Sequence, residues 1–173
     1  SDGLDKCLAS GASSIDLKSA MDSGKVIIFN LAGMGAETCG AFGRFIVGTV
    51  QNIAMQRHEQ ASHERKPVFM FLDEADRFIS DAVVDIYKET RKYGLHLGIA
   101  QQITGFKMKA DTYRAIIGNS RVRFSGNAGG DEQTAIDLAR QTGTTKDDIR
   151  ALPPLHFLVQ EKQNTAKRFC LMY

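Results

Sequence analysis

The sequence predicts an α/β fold built on a parallel sheet. Residues 68–72, Val-Phe-Met-Phe-Leu, are five consecutive apolar positions. A run that short and that continuous reads as a strand buried on both faces, as parallel strands are. Residues 95–100, Leu-His-Leu-Gly-Ile-Ala, read as a second strand, and residues 25–31, β-branched and aromatic between glycines, as a third. Helical periodicities alternate with these runs, and that alternation is the pattern of a parallel sheet. Right-handed crossovers then bring the carboxyl ends of the strands to one edge.

In chain order, residues 1–24 are a lead-in rich in Ser, Gly, Ala and Asp, with Ile15, Leu17 and Met21 spaced for one short helix. After the strand predicted at 25–31, residues 33–40 are glycine-rich. The dinucleotide fingerprint would need glycine where Thr38 stands, and no Gly-Lys-Ser/Thr follows, so a flexible strand-to-helix turn is the reading. From Phe42, apolar or small residues at Phe45, Ile46, Thr49, Val50, Ile53 and Ala54 give an amphipathic helix. Residues 56–66 are polar with alternating charge, which predicts a solvated helix end and loop closed by Pro67. A helix over 81–92, with Ala82, Val83, Ile86 and Tyr87 inward, ends at Gly94 as a C-cap. Beyond 95–100 come a helix at 111–118, a strand at 121–125 and a helix at 131–141. A capping box at Thr145 and Asp148 opens one turn that Pro153-Pro154 stops, and 156–160 with 168–173 form a terminal hairpin.

Composition restricts the function classes. The chain has 173 residues, 43% hydrophobic and 24% charged, enough for one domain or most of one, and a net charge of +2 that argues neither for nor against nucleic acid. Cys7, Cys39 and Cys170 are odd in number and far apart, without metal or disulfide spacing, and suit a reducing cytoplasm. His58, His63, His96 and His156 are scattered in the same way. No bilayer-spanning run or signal peptide is present, so any membrane contact of the parent protein would use residues outside this chain.

Asp73 and Glu74 follow the 68–72 strand directly and so lie at its carboxyl end, where open α/β sheets bind ligands. An apolar strand delivering Asp-Glu there has the form of a Walker B element. In such a site the aspartate holds Mg²⁺ through water and the glutamate orients or deprotonates the water that attacks the γ-phosphate. The plain alternative is a buried strand followed by a solvated acidic turn. Gln102 lies just past the 95–100 strand. If the two strands are neighbours they are about 5 Å apart, and one nucleotide phosphate is within reach of Glu74 and Gln102 together.

Asp73-Glu74-Ala75-Asp76 spells the box of DEAD-box RNA helicases, but the Ser-Ala-Thr motif expected some thirty residues later is replaced by Gly98-Ile99-Ala100-Gln101-Gln102. The closer resemblance is to the HerA/FtsK superfamily of hexameric DNA-pumping P-loop ATPases, and within it to coupling ATPases of conjugation and type IV secretion of the TraG/TraD kind. It rests on the Leu72-Asp73-Glu74 box, Thr90-Arg91-Lys92-Tyr93-Gly94-Leu95, a strand ending in Gln102, and the 25–31 strand ending in Asn30-Leu31 ahead of a glycine-rich turn. The resemblance implies a RecA-like parallel-sheet sandwich, here the C-terminal portion of the motor domain over 25–173 with a terminal hairpin. It implies ATP and Mg²⁺ as cofactors, Asp73 toward Mg²⁺ through water, and Glu74 toward the attacking water. Gln102 would be the γ-phosphate sensor, and Arg91 an arginine finger reaching the nucleotide of the next subunit.

The implied partners are further copies of the same chain in a hexamer, DNA, and conjugation or secretion machinery at the cytoplasmic face of the inner membrane. Phe106, Lys107 and Lys109, in the loop after Gln102, are candidate pore contacts. The sequence departs from the family in having no Walker A, so nothing in it cradles the β- and γ-phosphates. Either it is part of a larger ATPase domain or a relative that has lost nucleotide binding; the retained Asp73, Glu74, Arg91 and Gln102 favour the first. The chain alone is then expected not to hydrolyse ATP. Other functions open to it are a HerA-like chromosome-maintenance translocase, a helicase fragment, and a non-catalytic interaction module that keeps the fold.

Overall fold

In a computed structural model of the chain, residues 15–79, 81–102, 109–161 and 167–170 are described. They fall into two compact units, 1–101 and 102–173.

In the first unit, helix α1 (Leu17–Ser23) is capped by the Asp16 side chain, which accepts from the Ser19 amide at 2.9 Å, and closes at Gly24 with φ 73°. It forms where Leu17 and Met21 predict it, with Met21 buried. Helix α2 (Ala36–Met55) covers and extends the predicted amphipathic stretch, burying Val47, Val50 and Ala54. A 3₁₀ turn (Gln56–Glu59) then leads to strand β1 (Val68–Leu72). Helix α3 (Asp81–Glu89) buries Val83 and Ile86, and a 3₁₀ turn (Thr90–Tyr93) closes on Gly94 at φ 81°. Strand β2 (Leu95–Ile99) pairs parallel with β1, Val68 opposite Leu95 and Leu72 opposite Ile99. The neighbour relation that the predicted site needs is therefore present.

Residues 25–31 are a correction. They form no strand and join no sheet, and Val26 and Ile28 are 89% and 84% exposed. Strand propensity measures how well side chains suit a pleated, half-buried surface. A strand also needs a neighbour for its backbone groups, and the described residues provide none here. Phe69 and Phe71 of β1, 63% and 79% exposed, leave one face of the small parallel sheet bare as well. The polar segment 56–66 is solvated as predicted except at Arg57, which is only 3% exposed.

The second unit holds α4 (Ala110–Asn119), β3 (Val122–Ser125), α5 (Glu132–Thr142), α6 (Lys146–Arg150), β4 (His156–Glu161) and β5 (Lys167–Cys170). Strand order is β3-β4-β5, antiparallel throughout. The terminal hairpin thus forms, but the strand predicted at 121–125 joins it and not a parallel ladder. The paired residues Ser125 and Leu158 mark the sheet face under the helices, where Leu158 packs with Ala135, Ala139, Ile149 and Leu152. On the other face Val122, Phe124 and Phe169 are exposed.

Acids at helix starts hold this unit. Asp131 caps α5, accepting the Thr134 amide at 2.8 Å, and Thr145 with Asp148 forms the predicted capping box of α6. Glu132 pairs with Lys146 at 2.8 Å and with Arg150. Hydrogen bonds from Thr134 depress the Asp131 carboxyl, those from Thr145 depress Asp148, and that from Lys146 depresses Glu132. A carboxyl depressed in the folded state contributes stability that is present above its unfolded pKa and is lost as pH falls through the folded value. The unfolded values are 3.8 and 4.5, so the thermal midpoint of this unit is expected to fall below about pH 4.5. Asp131→Asn keeps the cap but removes one titrating group, so it should shallow that slope; an unchanged slope would remove Asp131 from the account.

Candidate functional site

β1 delivers Asp73 and Glu74 into a tight turn followed by a 3₁₀ segment (Ala75–Arg77). Backbone bonds pin that turn to the exit of β2: Ala100 N donates to Leu72 O at 2.9 Å and Ala75 N to Ala100 O at 3.0 Å. Helix α2 clamps it from the other side. A Cβ on Gly43 would lie 2.2 Å from the Phe78 ring, so only glycine allows this approach, and one on Gly40 would lie 3.2 Å from the Arg77 carbonyl, a tight fit. Arg44 Nη1 completes the clamp by donating to Arg77 O at 3.2 Å.

Glu74 has φ 49° and ψ 50°, left-handed backbone that a non-glycine residue adopts at a cost of roughly 1 kcal/mol. Its carboxylate meets Arg77 Nη2 at 2.7 Å, with both side chains nearly half exposed. Asp73 is exposed; its Oδ1 accepts the Glu74 amide at 3.0 Å, and it pairs with no cation among the described residues. A carboxylate so held suits a hard cation reached through water. The described residues contain no group of three or more His, Cys, Asp or Glu able to enclose a metal, and magnesium carried on a nucleotide needs no such cage.

Gln102 is exposed and opens the second unit two residues past Ala100. Its neighbour Gln101, which the sequence reading did not single out, has its side-chain oxygen buried and without a partner. Only the doublet itself hinted that either residue could matter. Among the pore candidates, Lys109 is exposed at the start of α4, while Phe106 and Lys107 lie outside the described residues.

Arg91 is exposed in the turn before β2, and Val68 N donates to Gly94 O at 2.8 Å at that end of the ladder. Since β1 and β2 run parallel, Arg91 is at the amino edge of the sheet and Glu74 at the carboxyl edge. Five residues of strand separate them, roughly 15 Å. Arg65 braces the Arg91 turn, donating through Nη1 to Lys92 O at 2.6 Å with its guanidinium 5.5 Å from the Tyr93 ring centre. The fold therefore unites Asp73 and Glu74 and keeps Arg91 away from them.

Solved structures share this fold. The genome-packaging NTPase B204 of Sulfolobus turreted icosahedral virus 2, in complex with ATP-gammaS, superposes with a TM-score of 0.61 at 12% identity, covering 92% of this chain and 74% of that one. The bacterial conjugative coupling protein TrwB lacking its first 70 residues gives 0.60 at 14% identity, over 73% of this chain and 36% of that one. TrwB in complex with the GTP analogue GDPNP gives 0.59 at 16%, over 79% and 38%. The chain spans little more than a third of those TrwB chains. No curated protein sequence matches it. The fold class is that of P-loop NTPase motor domains.

Within that class, residues 67–151 match the family model described as the TraM recognition site of TraD and TraG. The resemblance to TraG and TraD is borne out over those residues, a little under half of the chain. Among the described residues no helix is long and apolar enough to cross a membrane.

Proposed function

We propose that this chain supplies the Walker B, water-orienting and trans-acting arginine parts of a hexameric ATPase that drives DNA, or DNA bound to protein, through a conjugation or type IV secretion apparatus. The observation that carries the reading is the separation of Glu74 from Arg91 across the β1–β2 ladder. An arginine at the opposite sheet edge is useless to its own site but is available to a neighbouring subunit, as an arginine finger must be.

Nucleotide with Mg²⁺, bound by a Walker A segment that this sequence lacks, would supply the electrophilic γ-phosphoryl group. Asp73 would hold the ion's water, Glu74 would orient the attacking water and take its proton, and Gln102 would report the γ-phosphate state. The bare apolar positions Val26, Ile28, Phe69 and Phe71 support the same view, because parallel sheets are ordinarily covered on both faces. In this reading the covering layer belongs to the Walker A part of the parent protein. The assembly works in the cytoplasm, and its hold on the inner membrane uses residues outside this chain. Contacts with DNA are to phosphates and are salt-sensitive.

The test uses the parent protein with its Walker A segment. Arg91→Ala and Glu74→Gln versions should each lose DNA-stimulated ATP hydrolysis, and mixing them should restore part of it, because a mixed interface can pair an intact Glu74 with an intact Arg91. Failure of mixing to restore turnover would overturn the shared site. The 173-residue chain alone should show no steady turnover; hydrolysis abolished by Glu74→Gln in that chain would overturn the need for the missing segment.

A further inference from the structure

The second unit contains a pocket that the ATPase reading does not use. It is shallow and open to solvent, lies on the helix-covered side of β3 between α4 and α5, is about 390 Å³ in volume, and is lined by Tyr113, Ile117, Arg123, Asp137, Arg140 and Gln141. Arg123 stands on the same sheet face as Ser125, two residues away along the strand, so its side chain runs beneath the helices. Its Nε is buried without a hydrogen-bond partner, and it makes no ion pair with any described residue. Burying part of a guanidinium with no acceptor is costly, and such a group calls for an explanation.

The rest of the lining is rich in donors. Arg140 is 78% exposed at the rim and only loosely engaged, 4.0 Å from Asp137. Asp137 also accepts from Gln133 Nε2 at 3.2 Å, so one partly committed carboxylate lines the pocket beside two arginines. Gln141 Nε2 donates to the Tyr113 hydroxyl and ties α4 to α5 across the opening. The pocket therefore has one net positive charge and two planar forks.

We propose that this pocket binds a phosphoryl group, held by Arg123 from below and by Arg140 swinging in from the rim. Guanidinium forks match the paired oxygens of phosphate, and charge-assisted bonds of this kind are about twice as strong as neutral ones. The group can come from a mononucleotide or from a nucleic-acid backbone, which share this chemistry. Neither source depends on the Walker B site, so the proposal stands or falls separately from the ATPase reading.

The 173-residue chain is sufficient for the test. Inorganic phosphate titrated at low salt should move the Arg123 Nε–Hε resonance saturably. Arg123→Gln and Arg140→Gln should each weaken phosphate binding by about tenfold or more, as loss of a charged bond implies. Arg140 is at the surface, so its variant folds even if Arg123→Gln does not. Arg114→Gln, on α4 but paired with Asp111 and away from the lining, should leave binding unchanged. AMP and a fluorescent oligothymidylate separate the sources: comparable affinities assign a mononucleotide, and a much tighter, salt-steep oligonucleotide assigns a backbone. A saturable response that Arg140→Gln leaves intact, equal competition by acetate, or no saturable response would each overturn the proposal.

Discussion

Arg57→Ala is expected to lower the stability of the first unit by about 2–4 kcal/mol, a large share of the roughly 5–15 kcal/mol that a domain has. The guanidinium is 3% exposed and joins three segments: Nη2 meets Asp22 of α1 at 2.9 Å, and Nη1 donates to Lys66 O, just before β1, at 2.9 Å. Arg57 itself stands in the turn after α2. Truncation leaves a cavity, an unpaired carbonyl and a loosened α1. Which of these dominates can be decided. Arg57→Met fills much of the volume and removes the unpartnered buried Nε, so it should cost less than half as much as alanine if packing dominates. Asp22→Asn leaves the volume intact but strands a buried charge, so it should cost more than a surface substitution ordinarily does. Asp22 is about a third exposed and also pairs with Lys18 at 3.1 Å, which limits what is lost on the acid's side. Urea unfolding followed by circular dichroism reads all three; near-neutral behaviour of Arg57→Ala would mean that the clamp contributes no net stability.

Arg57 also shows where sequence reading stops. Its segment is polar and alternates in charge, the ordinary signature of a solvated helix end, and nothing local says that Asp22, thirty-five positions earlier, will meet it. Features set by neighbours in the chain were legible: the β1 run, the α2 periodicity, Gly94 in left-handed backbone, and the Thr145–Asp148 box. Features set by partners elsewhere were not. Residues 25–31 carry every local mark of a strand and lack a ladder; residues 121–125 read as a strand but pair antiparallel with β4. The site divides the same way. The position of Asp73 and Glu74 at a strand end was legible, whereas the Glu74–Arg77 pair depends on a 3₁₀ turn that brings positions three apart together.

That pair bears on the second large effect. In a parent protein that carries Walker A, as proposed, Glu74→Gln is expected to lower ATP turnover by about 10²–10⁴-fold, the usual contribution of a positioned general base. Nucleotide affinity should hardly change, because in the proposed role Glu74 would act on the attacking water and not on the ground-state phosphates. Glutamine bears the same left-handed backbone cost as glutamate, so the substitution isolates the carboxylate. The ion pair with Arg77 is no obstacle to the proposed role of Glu74: with both side chains nearly half exposed, such a pair is worth about 0–1 kcal/mol. Water and nucleotide can therefore displace Arg77 at little cost. Arg77→Ala should accordingly change turnover by no more than about fivefold, the rate equivalent of that energy. Fluorescent-nucleotide titration beside phosphate-release kinetics separates the two quantities. Equal losses of affinity and turnover in Glu74→Gln would move Glu74 from the attacking water to the bound phosphates, and a drop in Arg77→Ala as deep as in Glu74→Gln would make the pair itself part of the catalytic geometry.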